Sequence, residues 1–206
     1  MPDSIEGFPL FPLGMVLLPS EVVPLHVFEE RYKQMIGECL EEEREFGIVW
    51  VSEDGLKEVG CTAEITQLFE RMEDGRMNIL AQGAAPFRLL RKIDDMPYPA
   101  GDVELLEDDD EDLDTDLADS ARERYADLVD RATDDRPSAE DLAGLDAYAM
   151  AATVDFPLQA KQSLLELRSE AERMQAVSEL FAATMKQLDF MERASERARS
   201  NGKVRG

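Results

Sequence analysis

A chain of 206 residues with 46 acidic and 22 basic side chains has a formal net charge of −24 and enough length for a substantial core, removing roughly 70% of its unfolded surface from water. The acidic balance opposes binding to a phosphate backbone, which requires a cationic face to release counterions, and it keeps apolar surface dispersed. No apolar run reaches the length of a membrane span, and Asp3 and Glu6 lie where a secretory leader would be cationic, so a cytoplasmic location is expected.

The stretch FPLFPLGMVLLPSEVVPLHVFEERY (Phe8–Tyr32) is strongly apolar, yet Pro9, Pro12, Pro19 and Pro24 interrupt it. Proline fixes φ and lacks a ladder donor, so this segment reads as short extended pieces with strand ends and corners. A helix is expected from about Glu29 to Glu43, because Tyr32, Met35, Ile36, Cys39 and Leu40 fall on one face. FGIVWV (Phe46–Val51) reads as a strand. Asp74-Gly75 suits a two-residue type I′ hairpin turn, which would set Glu73 opposite Arg76 and Phe69 opposite Leu80. PFRLLRKI supplies a further strand, starting after Pro86.

From Glu107 to Asp119 there are nine acids and no base, which predicts a linker or a frayed helix start. The periodicity beyond it is helical. Leu117, Ala121, Tyr125 and Leu128 mark one helix, and PSAEDLAGLDAYAMAA a second, opened by Ser138 three residues before Asp141. DFPLQAKQSLLEL reads as a short third helix. A long fourth starts at the Ser169/Glu172 capping box, with Met174, Val177, Phe181, Met185 and Leu188 as its seam. The expected division is a β-rich part over 1–106, an acidic connection over 107–119 and a helical bundle over 120–206.

Reaction chemistry finds little support, and no catalytic residue is assigned. His26 is the only histidine, it lies among alternating apolar residues, and no GxSxG elbow is present; it is expected as a half-buried strand residue. Cys39 and Cys61 have no CxxC spacing and no histidine nearby, so they are expected as reduced, partly buried thiols rather than a zinc site or a disulfide. No phosphate loop or EF-hand spacing occurs, and neither a metal nor another cofactor is expected. The segment Arg193–Arg205 has five bases and one acid, which suits cations near a helix C-terminus better than a nucleic-acid contact. Ten methionines suit either ordinary core filling or a surface that accepts varied apolar partners.

FPLFPLGMVLLPSEVVPLHVFEERYKQMI resembles the N-terminal substrate-binding domain of Lon-type ATP-dependent proteases. The likeness continues through EFGIVWV, VGCTAEI, DGRMNILAQGAAPFRLLR and PYPAGDVELLED, and resumes at KQSLLELRSEAERM. One departure is Pro86, where the family usually carries arginine before FR. The resemblance implies an α+β fold: a PUA-like β pseudo-barrel with one embedded helix, followed by a C-terminal α-helical bundle. In that fold Phe8, Leu10, Leu13, Leu25 and Val27 would turn inward. It implies a non-catalytic recognition domain that binds exposed apolar segments of unfolded or damaged protein clients, because the chain ends before an ATPase or Ser-Lys protease module. A protease or ATPase partner is the alternative, and a nucleic-acid role, open to PUA-like barrels, is disfavoured by the charge. Oligomeric state is left open. Leu17 and Leu18, between Gly14 and Pro19, are expected on a loop as client contacts.

Overall fold

The computed structural model describes residues 4–109 and 114–202. By internal packing the chain divides into two units, Met1–Asp110 with Ala151–Ser169 and Glu111–Met150 with Glu170–Gly206. The division expected at 106 and 119 therefore needs correction, because residues 151–169 belong with the strands.

In the first unit the elements are β1 (Ser4–Leu13), β2 (Val22–Val27), α1 (Glu30–Glu42), β3 (Phe46–Ser52), β4 (Gly55–Leu56), β5 (Val59–Arg71), β6 (Met77–Ile93), β7 (Ala100–Leu105) and α5 (Leu158–Glu166). The sheet runs β1-β7-β6-β5-β3-β4, and β1 also pairs in parallel with β3, which closes the strands on themselves. This is the expected pseudo-barrel, and α1 is its embedded helix. Tyr32, Met35, Ile36 and Cys39 are buried on α1 as the periodicity requires.

The barrel core gathers Phe8, Leu10, Val49, Phe87 and Val103. Phe8 meets Phe87 edge-on at 5.9 Å, a favourable aromatic geometry. Phe87 occupies a slot that two glycines leave open: a Cβ on Gly47 or Gly60 would come within 2.6 or 2.7 Å of its ring. Val27 is also buried, while Leu13 and Leu25 are half-buried.

The β5–β6 hairpin differs from expectation. Met72 N–H donates to Arg76 C=O at 2.8 Å and Gly75 N–H to Met72 C=O at 2.9 Å, so the loop holds three residues. Only Gly75, at φ +81°, takes the left-handed conformation, whereas a type I′ turn would need Asp74 there too. The Asp74 carboxylate instead accepts from Arg76 N–H and Nε. Register shifts accordingly: Gln67 rather than Phe69 lies opposite Leu80, and Phe69 is the extra residue of a bulge between Leu68 and Glu70. Nor does a new strand start after Pro86. β6 runs through it, with Pro86 opposite Cys61 beside another register shift.

α5 joins this unit through specific bonds. Lys161 Nζ donates to both Glu21 carboxylate oxygens at 2.6 and 2.7 Å, and Gln162 Nε2 to Val59 C=O at 3.2 Å. Leu164 and Leu165 are buried. The start of the acidic stretch is ordered as well, with Asp109 N–H donating to Arg168 C=O at 2.8 Å and Arg168 Nε to Glu107 C=O at 3.0 Å. Residues 110–113 of that stretch lie outside the described residues.

The second unit holds α2 (Thr115–Thr133), α3 (Ala139–Leu142), most of α4 (Ala147–Ala151) and α6 (Glu170–Gly202). Asp114 caps α2 by accepting from Asp116 N–H, so the end of the acidic run starts a helix, where carboxylates favour the positive end of the dipole. Tyr125 of α2 packs on Phe181 of α6 at 5.5 Å. Met174, Val177 and Phe181 are buried, and Met185 and Leu188 half-buried. The expected second helix is broken in two: Ser138 and Asp141 form their capping box, but Gly144 at φ +84° ends the segment before α4 begins. Residues 203–206, the end of the basic segment, lie outside the described residues.

Candidate functional site

The sequence-predicted contacts fail on burial. Leu17 and Leu18 are 1% and 0% exposed. Their backbone does leave the sheet as a loop, but a tight turn folds the side chains inward. Leu18 N–H donates to Glu21 Oε2 at 2.9 Å, Glu21 N–H to Leu18 C=O at 3.1 Å, and Ser20 N–H to Gly83 C=O at 2.9 Å. The loop lies so close to β6 that a Cβ on Gly83 would stand 2.1 Å from the Leu18 carbonyl oxygen. Both leucines are core, not contact surface.

An open apolar groove lies at the β6–β7 turn. Asp94, Met96, Pro97, Tyr98 and Pro99 form one wall of a groove of about 450 Å³, facing Leu10 and Pro12 of β1 and Leu56 of β4. Prolines on both sides of Tyr98 hold this wall extended. Pro99 C=O accepts from Leu10 N–H at 2.8 Å, which fastens the turn to β1. The Tyr98 hydroxyl donates to Glu38 Oε2 at 2.5 Å and accepts from Arg44 Nη2 at 3.0 Å. The Glu38 carboxyl is held below its ordinary range by the hydrogen bonds from Tyr98 and then Gln34, while burial raises the Tyr98 phenol. A largely buried aromatic is thus fixed to α1, and the more exposed Met96 stands beside it.

The groove reverses the chain's charge balance. Arg31 and Lys92 line it against the single acid Asp94, whereas acids outnumber bases two to one overall. Arg31 is already engaged, with Nε and Nη2 on Glu29 at 3.1 and 2.9 Å. Apolar lining with few polar groups suits binding of apolar side chains. Sequence reasoning missed this site; its signal is MPYP, a methionine and a tyrosine among prolines.

A second cavity of about 530 Å³ is polar, lined by Cys39, Leu40, Glu43, Arg44, Glu45, Glu64 and Ile65. Burial pushes the Cys39 thiol up to about 11 and raises Cys61 as well, which disfavours the thiolate a nucleophile needs. His26 is exposed rather than half-buried, with Nδ1 2.7 Å from Asn78 Oδ1 on the outer face of the sheet. Among the described residues no group of three metal-ligating side chains occurs, and no helix is long and apolar enough to cross a membrane.

Comparison with known proteins places the chain. It is 28% identical over 197 residues to a Lon protease of Anaeromyxobacter dehalogenans, covering 86% of this chain and 23% of that protein. It is 28% identical over 196 residues to Lon protease 2 of Myxococcus xanthus, covering 86% of this chain and 24% of that one. The chain thus spans about a quarter of the length of these relatives. The Lon N-terminal domain protein of Xanthomonas campestris superposes with a TM-score of 0.63 at 24% identity, covering 83% of this chain and 96% of its own. The N-terminal domain of the Mycobacterium avium complex Lon protease gives 0.65 at 19% identity, covering 87% and 98%. At these identities the structural likeness is one of fold. The sequence profile of the ATP-dependent protease La (LON) substrate-binding domain matches residues 7–183, and the chain belongs to that family.

Proposed function

We propose that the chain is a non-catalytic recognition domain that holds exposed apolar segments of protein clients in the groove between β1, β4 and the β6–β7 turn. The observation that carries this is the groove itself: an open, mostly apolar cleft with Met96 accessible and Tyr98 fixed by Glu38 and Arg44. A flexible methionine beside a rigid aromatic suits clients of varied sequence. Burial of client side chains supplies about 25 cal/mol per Å² before ordering costs, so weak and broad binding follows. The family's description as a substrate-binding domain, and relatives that are proteases, support the same reading.

The test is fluorescence anisotropy of a labelled, permanently unfolded protein titrated with the chain, beside the native form of the same protein. Saturable binding to the unfolded form alone, persisting at high salt and weakened by Met96→Asp without a change in melting temperature, is the expected result. Equal binding to both forms, or none in the micromolar range, would overturn it. The second outcome would favour the other reading, a specific subunit of a protease or ATPase assembly.

A further inference from the structure

The outer face of the β2–β6–β5 sheet is a regular grid whose chemistry is sorted by strand. Cross-strand register places Val22, Gln82 and Glu64 in one row, Pro24, Leu80 and Gln67 in the next, and His26, Asn78 and Glu70 in the third. Directly opposite residues point to the same side, so all nine side chains share one face. Its β2 side is largely apolar. Val22 is 49% exposed, Pro24 is exposed, and Phe28, just beyond the strand, is 60% exposed and stacks on His26 at 5.8 Å. The β5 side is acidic, with Glu64 and Glu70 exposed in the first and third rows. Between the two sides runs β6, with half-buried Leu80 at its middle.

Both carboxylates keep their charge open. The grid holds no lysine or arginine, and neither Glu64 nor Glu70 forms an ion pair among the described residues. Glu70 Oε2 accepts only from the neutral Asn78 Nδ2, at 3.3 Å, while Asn78 Oδ1 lies 2.7 Å from His26 Nδ1. Arg31, Lys33 and Arg76, on the segments after β2 and before β6, pair instead with Glu29, Glu30 and Asp74. Arg71 follows Glu70 but lies opposite buried Met77, so it belongs to the other face of the sheet. An exposed apolar strip thus runs beside a line of unneutralised acid.

We propose that this face docks an amphipathic helix of a partner protein whose apolar and basic residues occupy adjacent flanks. β2 and β5 are two strand spacings apart, about 10 Å, and a helix with its side chains is about 10–12 Å across. A helix lying along β6 therefore sets one flank on Val22, Pro24 and Phe28 and the other on Glu64 and Glu70. The rows that hold the two acids are set by Gln82 and Asn78 of β6, roughly 14 Å apart at strand rise. That span is about two and a half turns of helix, so one basic residue toward each end of the contact meets one carboxylate. The charge complementarity selects a cationic partner, since like charges set opposite each other are costly. It disfavours a second copy of this chain, whose net charge is −24. The contact is few side chains wide, which suits weak association at the small end of protein interfaces.

The experiment is fluorescence anisotropy of a labelled peptide titrated with the 206-residue chain at physiological salt. The peptide is a helix of about 18 leucine and lysine residues, roughly 27 Å long, with the two residue types on adjacent flanks. Two further peptides are compared with it: the same composition scrambled so that no flank forms, and the flanked pattern with glutamate in place of lysine. Saturable binding of the flanked leucine–lysine helix is expected, with both other peptides at least about tenfold weaker. Val22→Ser with Phe28→Ser, and separately Glu64→Lys with Glu70→Lys, alter exposed groups and are each expected to weaken binding about tenfold, with the fold intact by circular dichroism. Asp135→Lys with Glu140→Lys makes the same change of net charge away from this face, and Met96→Asp alters the apolar groove; both are expected to bind like wild type. Equal binding of the scrambled peptide would overturn the proposal, as would face variants that bind like wild type. So would no binding of the flanked helix in the micromolar range, or a loss with Met96→Asp or with the Asp135 and Glu140 pair as large as that of the face variants.

Discussion

Tyr98 and Glu38 are joined across 60 residues of sequence by a 2.5 Å hydrogen bond, which ties the wall of the apolar groove to α1, the helix embedded in the barrel. Tyr98→Phe keeps the ring and removes the hydroxyl, leaving Glu38 and Arg44 without their shared partner. The expected loss is about 1 kcal/mol of stability, read as a lower denaturation midpoint, together with weaker client binding as the wall loosens. Unchanged client affinity in a destabilised variant would separate the hydrogen bond from the groove.

Acid sensitivity follows from the carboxyls held low. Glu38 is lowered first by the Tyr98 hydrogen bond, and Asp102 first by Arg91, whose Nε and Nη2 reach it at 2.9 and 2.7 Å, and then by Gly7 N–H. Groups with depressed folded values stabilise the fold above their unfolded range, and that contribution is lost as pH falls through the folded values. Melting temperature is therefore expected to be flat near neutrality and to fall below the ordinary carboxylate range. Asp102→Asn should flatten that acid limb, as a pH series of thermal melts will show.

The Lys161–Glu21 pair is largely buried, with side chains 9% and 19% exposed. Glu21→Gln or Lys161→Met alone strands the other charge, at an expected cost of about 2–4 kcal/mol. The double variant should lose less than the sum, which a double-mutant cycle in urea measures. Additive losses would mean that the pair does not couple α5 to the Leu18–Glu21 loop.

Gly83→Ala places a methyl against the Leu18 carbonyl, where the ideal Cβ stands at 2.1 Å. Backbone cannot move aside as a flexible side chain does, so a loss of about 1–3 kcal/mol is expected. Chemical denaturation reads it directly. Exposure of Leu17 and Leu18 by the displaced loop should appear as increased binding of an apolar dye.

Both thiols should resist labelling in the folded chain. Burial raises Cys39 to about 11 and Cys61 further up, so little thiolate exists near pH 8. A thiol-reactive chromophore is expected to modify both only after unfolding. Fast reaction of either in native buffer would contradict their burial.

Local pattern determined much of this protein. The 3.6-residue spacing on α1 named the side chains that are buried, FGIVWV is a strand, and Ser138 with Asp141 caps a helix. The proline-broken apolar opening carried the family resemblance because its residues build the barrel core. Tertiary structure decided the rest. Periodicity reports which side chains share a face, not what that face meets, so α5 was legible as a helix but its partner Glu21, 140 residues away, was not. Leu17 and Leu18 stand on a loop by sequence and inside by structure, because a turn closed by Glu21 and Gly83 rotates them inward. The groove belongs to no single segment: β1, β4, α1 and the β6–β7 turn each contribute, and only closure of the barrel brings them together.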